Sequence, residues 1–269
     1  MSDLADQGFL TAQRQADTWT WWARRGRVEV LFTGRGPAAS GREEVLGRIV
    51  ASREPGCQPV RAAPTTPATP NIAWARQIHS ARVLRGRPGD SGEGDALVTA
   101  EPRLALAVSS ADCVPLLLAG PHGIAAAHAG WRGIVAGVVG ATVAALARPA
   151  TISGGSGGKG DVGGAAAAGD PAGCTAWVGP AIGACCYETG PDVAAQVAAA
   201  SGPEVVVPGT AGRPHLDLTA AVCRQLAAAG VHDVRWLISC TRCDAERLWS
   251  YRREGKAAGR NLAFIWLSA

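Results

Sequence analysis

The chain has 269 residues, enough to bury one large core or two small ones, and a formal net charge of +4 at pH 7. Its arginines are spread out, with no basic run interleaved with aromatics, which disfavours nucleic-acid binding. No stretch is apolar enough to span a bilayer, and residues 1–25 carry early acids without the apolar core of a signal peptide, so a cytoplasmic protein with reduced thiols is expected.

In chain order, residues 1–27 are set apart as an N-terminal extension, and Val28–Thr33 reads as the first strand, ended by Gly34-Arg35-Gly36-Pro37. Residues 42–52 have helical spacing, with Val45, Leu46, Ile49 and Val50 on one face. Residues 54–70 are Pro-rich and polar and read as a surface loop. Residues 72–83 carry His79, and Ala96–Thr99 reads as a short strand after the turn Gly92-Glu93-Gly94-Asp95. Leu104–Ser110, 114–119 and 123–127 are apolar runs of strand length, and 131–146 reads as one helix whose Gly and Ala positions allow close packing. Residues 153–173 are dominated by Gly, Ala, Ser and Asp. They cannot bury enough apolar surface to offset their ordering entropy, which predicts a disordered insert within one domain. Beyond it, strands are expected at Thr175–Val178, 205–207, 234–239 and 263–267, with helices over 191–200 and 216–229. There is no strict βαβ rhythm and no G-x-G-x-x-G after a strand, so one α/β or α+β domain with a mixed sheet is expected rather than a Rossmann domain.

Cys113 and His128 each close an apolar run, Leu104–Ser110 and 123–127. Neighbouring strands ending at one level would present both side chains at one sheet edge, and His79 closes a third short stretch. The three residues suffice for an open zinc site, whose fourth position would hold a water with its pKa lowered to ~7. They equally suit a thiol–imidazole pair. The same set is equatorial in blue-copper centres, which usually add an axial Met, and the one methionine here is Met1. Five histidines (His79, His122, His128, His215, His232) are too few for a multicopper cluster, so copper redox chemistry is disfavoured.

Arg132 at a helix start suits phosphate or carboxylate, or pairs with a surface acid. Asp112 could orient a ligand histidine or cap the following turn. His122 reads as solvated. Arg252, Arg253 and Arg260 sit in what reads as a flexible polar loop, either closing over an anionic substrate or simply solvated. Of eight cysteines, Cys240-Thr241-Arg242-Cys243 has C-x-x-C spacing with no second pair at zinc-ribbon distance, and adjacent Cys185-Cys186 look poorly placed for joint ligation. These four, with Cys223, read as plain buried thiols.

Gln77-Ile78-His79, Asp95-Ala96-Leu97-Val98-Thr99, Ala111-Asp112-Cys113-Val114-Pro115 and His128-Ala129-Gly130-Trp131-Arg132-Gly133 occur in one order with Gly179-Pro180-Ala181-Ile182-Gly183, Cys185-Cys186-Tyr187-Glu188, Cys240-Thr241, Ser250-Tyr251-Arg252-Arg253 and Gly259-Arg260. Together they resemble the polyphenol oxidase/laccase-domain family, also called the YfiH family, described as purine nucleoside phosphorylases with adenosine deaminase activity. The resemblance runs from about Val28 to the C-terminus. It implies a single catalytic domain over residues 28–269, a layered α/β/β/α sandwich with mixed sheets of cysteine-hydrolase-like type. It also implies a catalytic zinc held by His79, Cys113 and His128. The implied reactions are phosphorolysis of adenosine, inosine, guanosine and methylthioadenosine and hydrolytic deamination of adenosine, with Arg132 a candidate to position phosphate. The implied partners are small molecules, not nucleic acid or membrane. Against the family pattern, residues 36–41 lack a Gly-rich, Asn-containing stretch, Ser80 stands where glycine is common, and the insert is long. Two rival readings stand beside this one. The first is a thiol hydrolase acting on cell-wall peptide precursors, with Cys113 as nucleophile and His128 as base. The second is a non-catalytic metal-binding protein.

Overall fold

A computed structural model describes residues 12–15, 17–36, 41–51, 70–148, 171, 173–209 and 212–268. The expected loop over 54–70 and the expected insert over 153–173 fall almost wholly outside the described residues. The elements are β1 (Gln13–Gln15), β2 (Thr18–Arg25), β3 (Val28–Thr33), α1 (Arg42–Ala51), β4 (Asn71–Arg76), β5 (Val83–Arg85), β6 (Gly89–Glu93), β7 (Ala96–Thr99), β8 (Leu104–Ser110), β9 (Val114–Gly120) and β10 (Gly123–Ala129). There follow α2 (Trp131–Val135), α3 (Val138–Leu146), β11 (Thr175–Val178), α4 (Pro191–Ser201), β12 (Val206–Pro208), β13 (Pro214–Leu216), α5 (Leu218–Ala228), β14 (Asp233–Trp236), α6 (Tyr251–Glu254) and β15 (Asn261–Leu267). Among the described residues, no helix is long and apolar enough to cross a membrane.

Among the described residues the strands form a seven-stranded sheet in the order β1-β2-β3-β15-β8-β4-β6, a six-stranded sheet in the order β14-β11-β9-β10-β7-β5, and the pair β12-β13. Both large sheets mix parallel and antiparallel pairs, giving a mixed α/β fold in a single domain. Alternation along each strand sends successive side chains to opposite faces. Thus Trp21, Phe32, Leu106 and Ile265 of the first sheet share one core with Leu117, Ile124, Ala126 and Trp177 of the second. The intervening residues Trp22, Leu31, Ala107 and Phe264 pack with Leu46 and Ile49 of α1. On the second sheet, Leu116, Leu118, Ala125 and Ala127 pack with Val143 of α3, Val197 of α4 and Val222 of α5.

Several elements differ from expectation. β1 and β2 lie inside the stretch 1–27 set apart as an extension, and β2 pairs with β3. Trp21 and Trp22 bury on opposite faces of it, so both its faces are apolar and no alternation marks it. The expected single helix over 131–146 is broken, because Gly137 adopts φ 85° between α2 and α3. The segment read as a flexible C-terminal loop contains α6, whose start is capped by the Ser250 hydroxyl accepting the Arg253 N–H.

The largest correction concerns the site. β8 and β10 are not neighbours but belong to different sheets. The chain crosses between sheets at Ala111-Asp112-Cys113, and Cys113 precedes β9 in the second sheet. There β9 runs antiparallel to β10, pairing Pro115 with His128, so the start of one strand meets the end of the other. Cys113 and His128 therefore do share an edge, by a different route from the one expected.

Candidate metal centre

His79 stands in the turn after β4, at φ 59°, a conformation unusual for a residue with a Cβ. One carboxylate holds it there. Asp95, fully buried, accepts the backbone N–H groups of Ile78 (3.2 Å), His79 (3.0 Å) and Ser80 (2.6 Å) and the Ser80 hydroxyl (2.8 Å). Gln77 clamps the same turn to β8, donating to the Ser109 carbonyl at 2.7 Å and accepting the Ser109 N–H at 2.9 Å. Asp95 also meets Nδ1 of buried His128 at 3.0 Å, fixing that ring.

The crossover that presents Cys113 is strained in the same way, with Asp112 at φ 105°. Its carboxylate accepts the Thr241 hydroxyl and the Arg252 N–H, each at 2.6 Å. Asp112 is thus neither orienter of a histidine nor cap of the turn after it. It ties the cysteine loop to the segments before and within α6. The orienting carboxylate is Asp95, which the sequence presents as a turn residue and as the start of a family motif, with no role at the site attached to it.

The thiol lies 4.0 Å from His79 Nε2, the two imidazoles stand edge to face with centroids 4.9 Å apart, and the three ligand atoms lie within 4.8 Å of one another. Burial would push the Asp95 carboxyl up, but hydrogen bonds from His128 and Ser80 outweigh it and hold the pKa near about 2. Burial would likewise raise the Cys113 thiol, yet the two histidines bring it down to about 7. Burial would lower His128, and its bonds to Asp95 and Cys113 instead raise it to about 9. Both shifts run in the direction of a thiolate–imidazolium pair.

Gly130 makes room for this group. Its extended backbone (φ −78°, ψ 167°) accepts any side chain, but a Cβ there would lie 2.9 Å from both Cys113 Sγ and His79 Cδ2. Gly130→Ala is therefore expected to leave the fold intact while weakening metal affinity roughly 10–100-fold. Competition with a chromophoric chelator, beside an unchanged far-UV CD spectrum, checks it.

The trio opens on a cavity of about 650 Å³ whose wall includes Arg42, Trp74, Trp131, Arg132, Tyr187, Tyr251, Arg252 and Arg260. Arg132 does reach it, exposed and over the Trp131 ring at 4.4 Å. α2 is only five residues long, so its dipole adds little and the guanidinium itself supplies the charge. Arg252 and Arg260 also line the cavity. Arg253 does not, and its guanidinium instead donates to the carbonyls of Thr241, Arg242 and Leu248. Arg42, unmarked in the sequence, stands over Trp74 at 4.9 Å. A cavity of about 420 Å³ adjoins, sharing Arg42, Ser109 and Arg260, and is lined also by Gly34, Gly36 and Gly41. His122 is an exposed turn residue. Cys185, Cys186, Cys240 and Cys243 are not scattered buried thiols. Two are exposed, and their sulfurs form a second group within 4.8 Å of one another.

Comparison with known proteins shows the family of the chain. A family model described as multi-copper polyphenol oxidoreductase laccase matches residues 58–156 and 163–268. A purine nucleoside phosphorylase of Streptomyces coelicolor is 39% identical over 227 residues, covering 82% of this chain and 83% of that protein. The purine nucleoside phosphorylase YfiH of Escherichia coli is 34% identical over 211 residues, covering 77% of each. A crystal structure from Neisseria meningitidis, of the DUF152 family, superposes with a TM-score of 0.66 at 29% identity over 97% of this chain and 100% of that one. With both its sequence and its fold matched along most of its length, the chain belongs to this laccase-like, YfiH-type family.

Proposed function

We propose that the chain is a purine nucleoside phosphorylase, acting on adenosine, inosine, guanosine and methylthioadenosine, that also deaminates adenosine, with zinc held by His79, Cys113 and His128. The observation that carries this reading is the cavity, which sets the trio beside four aromatic rings and several guanidinium groups. Aromatic faces stack on a purine, and arginines pair bidentately with phosphate. The relatives named purine nucleoside phosphorylase support the same reading.

The donor set suits zinc: two imidazoles and a thiolate at close range, with no fourth protein ligand in the group among the described residues. When bound, zinc would supply a Lewis acid and an acidified water. The chain's own residues do the rest. Asp95 accepts the hydrogen bond of His128 Nδ1–H and so leaves Nε2 for ligation. Arg132, Arg252 and Arg260 hold phosphate, and Trp131, Tyr187 and Tyr251 cover the base and limit water. We also read the three packed cores as an α/β/β/α stack, since α1 covers the outer face of one sheet and α3–α5 that of the other. Reduced thiols at the site fit a cytoplasmic setting.

A second reading has its own observation. Asp95, His128 and Cys113 follow one another as acid, imidazole and thiol, the order of a thiol hydrolase. Incubating zinc-loaded protein with adenosine, with and without phosphate, separates the two. Adenine and ribose 1-phosphate only with phosphate, together with inosine, is the expected result. No turnover of any purine nucleoside would overturn it, and rapid iodoacetamide labelling of Cys113 in metal-loaded, chelator-resistant enzyme would favour the hydrolase.

A further inference from the structure

Cys185 and Cys186 sit in a turn closed by the Cys186 and Tyr187 N–H groups donating to the Gly183 carbonyl at 2.9 and 3.0 Å. That turn brings two adjacent side chains to one side, which an extended strand could not do. The C-x-x-C segment approaches from after β14. The Thr241 N–H donates to the Ala181 carbonyl at 3.0 Å, and Cys240 Sγ accepts the Gly183 N–H at 3.3 Å. Cys243 Sγ then lies 3.3 Å from Cys186 Sγ and 3.7 Å from Cys185 Sγ, and all four sulfurs lie within 4.8 Å of one another.

We propose that Cys185, Cys186, Cys240 and Cys243 form a second, structural zinc site, closed by four thiolates and separate from the His79–Cys113–His128 centre. The spacing distinguishes it from paired thiols. A disulfide needs sulfurs about 2.05 Å apart, whereas a tetrahedron with Zn–S of about 2.3 Å sets them roughly 3.8 Å apart. Four thiols without a common ligand would have no reason to converge where two of them face solvent. Loading is balanced as one Zn²⁺ replacing four thiol protons, leaving a dianionic centre. Its charge is opposed by the Gly183 amide and by the Arg253 guanidinium, which donates to the Thr241 and Arg242 carbonyls of the same segment at 2.6 and 2.8 Å.

The site would act as a staple behind the cavity. Thr241, next to Cys240, donates to Asp112 in the cysteine loop, and Tyr187, next to Cys186, lines the cavity under Arg252. The proposal does not depend on the purine reading, nor on metal at the other centre.

Metal analysis of the full chain, purified under reducing conditions, separates the two sites. Cys113→Ala is expected to keep one zinc per chain, and Cys113→Ala with Cys243→Ser to keep none. In Cys113→Ala, titration with an organomercurial should release that zinc as four thiols react, a readout that needs no second variant to fold. Folded Cys113→Ala without zinc would overturn the proposal, and so would a mass lower by two hydrogens with a disulfide among the four cysteines. Stoichiometric iron in place of zinc would overturn the metal assignment.

Discussion

Asp95→Asn is expected to lower the unfolding free energy by about 3 kcal/mol at neutral pH, with a Tm fall of roughly 6–12 °C. The change is isosteric, so packing is not the cause. The carboxylate receives three backbone N–H groups, a serine hydroxyl and the His128 ring nitrogen, all converging on two oxygens. An amide keeps one oxygen and turns an NH2 group towards donors. Whichever way it flips, at least two N–H groups are left buried without an acceptor. The His79 turn, held at φ 59°, loses the bonds that offset its strain, so metal affinity should fall as well.

The sign of the pH dependence follows from the depressed pKa. The Asp95 carboxyl lies near about 2 in the folded protein, below an ordinary aspartate near ~3.9. Its contribution, about 2.5 kcal/mol, is present above pH ~4 and is lost as pH falls through about 2. Urea denaturation of the metal-free proteins should therefore show a gap between wild type and Asp95→Asn that narrows between pH 4 and 2. A gap of constant size would mean that the ionised form of Asp95 is not what the fold uses.

Reading the sequence located the strands that are apolar runs between breakers. Val28–Thr33, Ala96–Thr99, Leu104–Ser110 and Thr175–Val178 were legible because turn residues flank a short hydrophobic stretch on both sides. β2 was not, because Trp21 and Trp22 serve different cores and two arginines follow. The metal trio was legible as residue types beside breaks in the chain. The route by which it assembles was not, since the switch of sheets at Asp112 is a property of topology that no local spacing encodes. Asp95 follows a glycine in a turn, where an aspartate ordinarily needs no tertiary role. The cysteine group escaped for a related reason: Cys185 and Cys186 reach Cys243 across 58 and 57 residues, well beyond the spacing at which paired ligands are recognised.

Cys113→Ala is expected to empty the trio and reduce kcat/KM for both phosphorolysis and deamination by at least about 10³-fold, about 4 kcal/mol of transition-state stabilisation. Two histidines would remain, one of them exposed on a turn, and two neutral ligands hold a divalent cation far more weakly than a set that includes a thiolate. The fold should survive, because Cys113 is only half-buried and the loop is anchored through Asp112 rather than through the thiol. Tm and the far-UV CD spectrum therefore separate loss of chemistry from loss of structure. If both activities fall together, one centre serves both reactions. If phosphorolysis persists while deamination disappears, the arginine-lined cavity carries phosphate transfer by itself and the trio serves only the attack of water. Full retention of both in a folded, metal-free trio would remove His79, Cys113 and His128 from the reaction altogether.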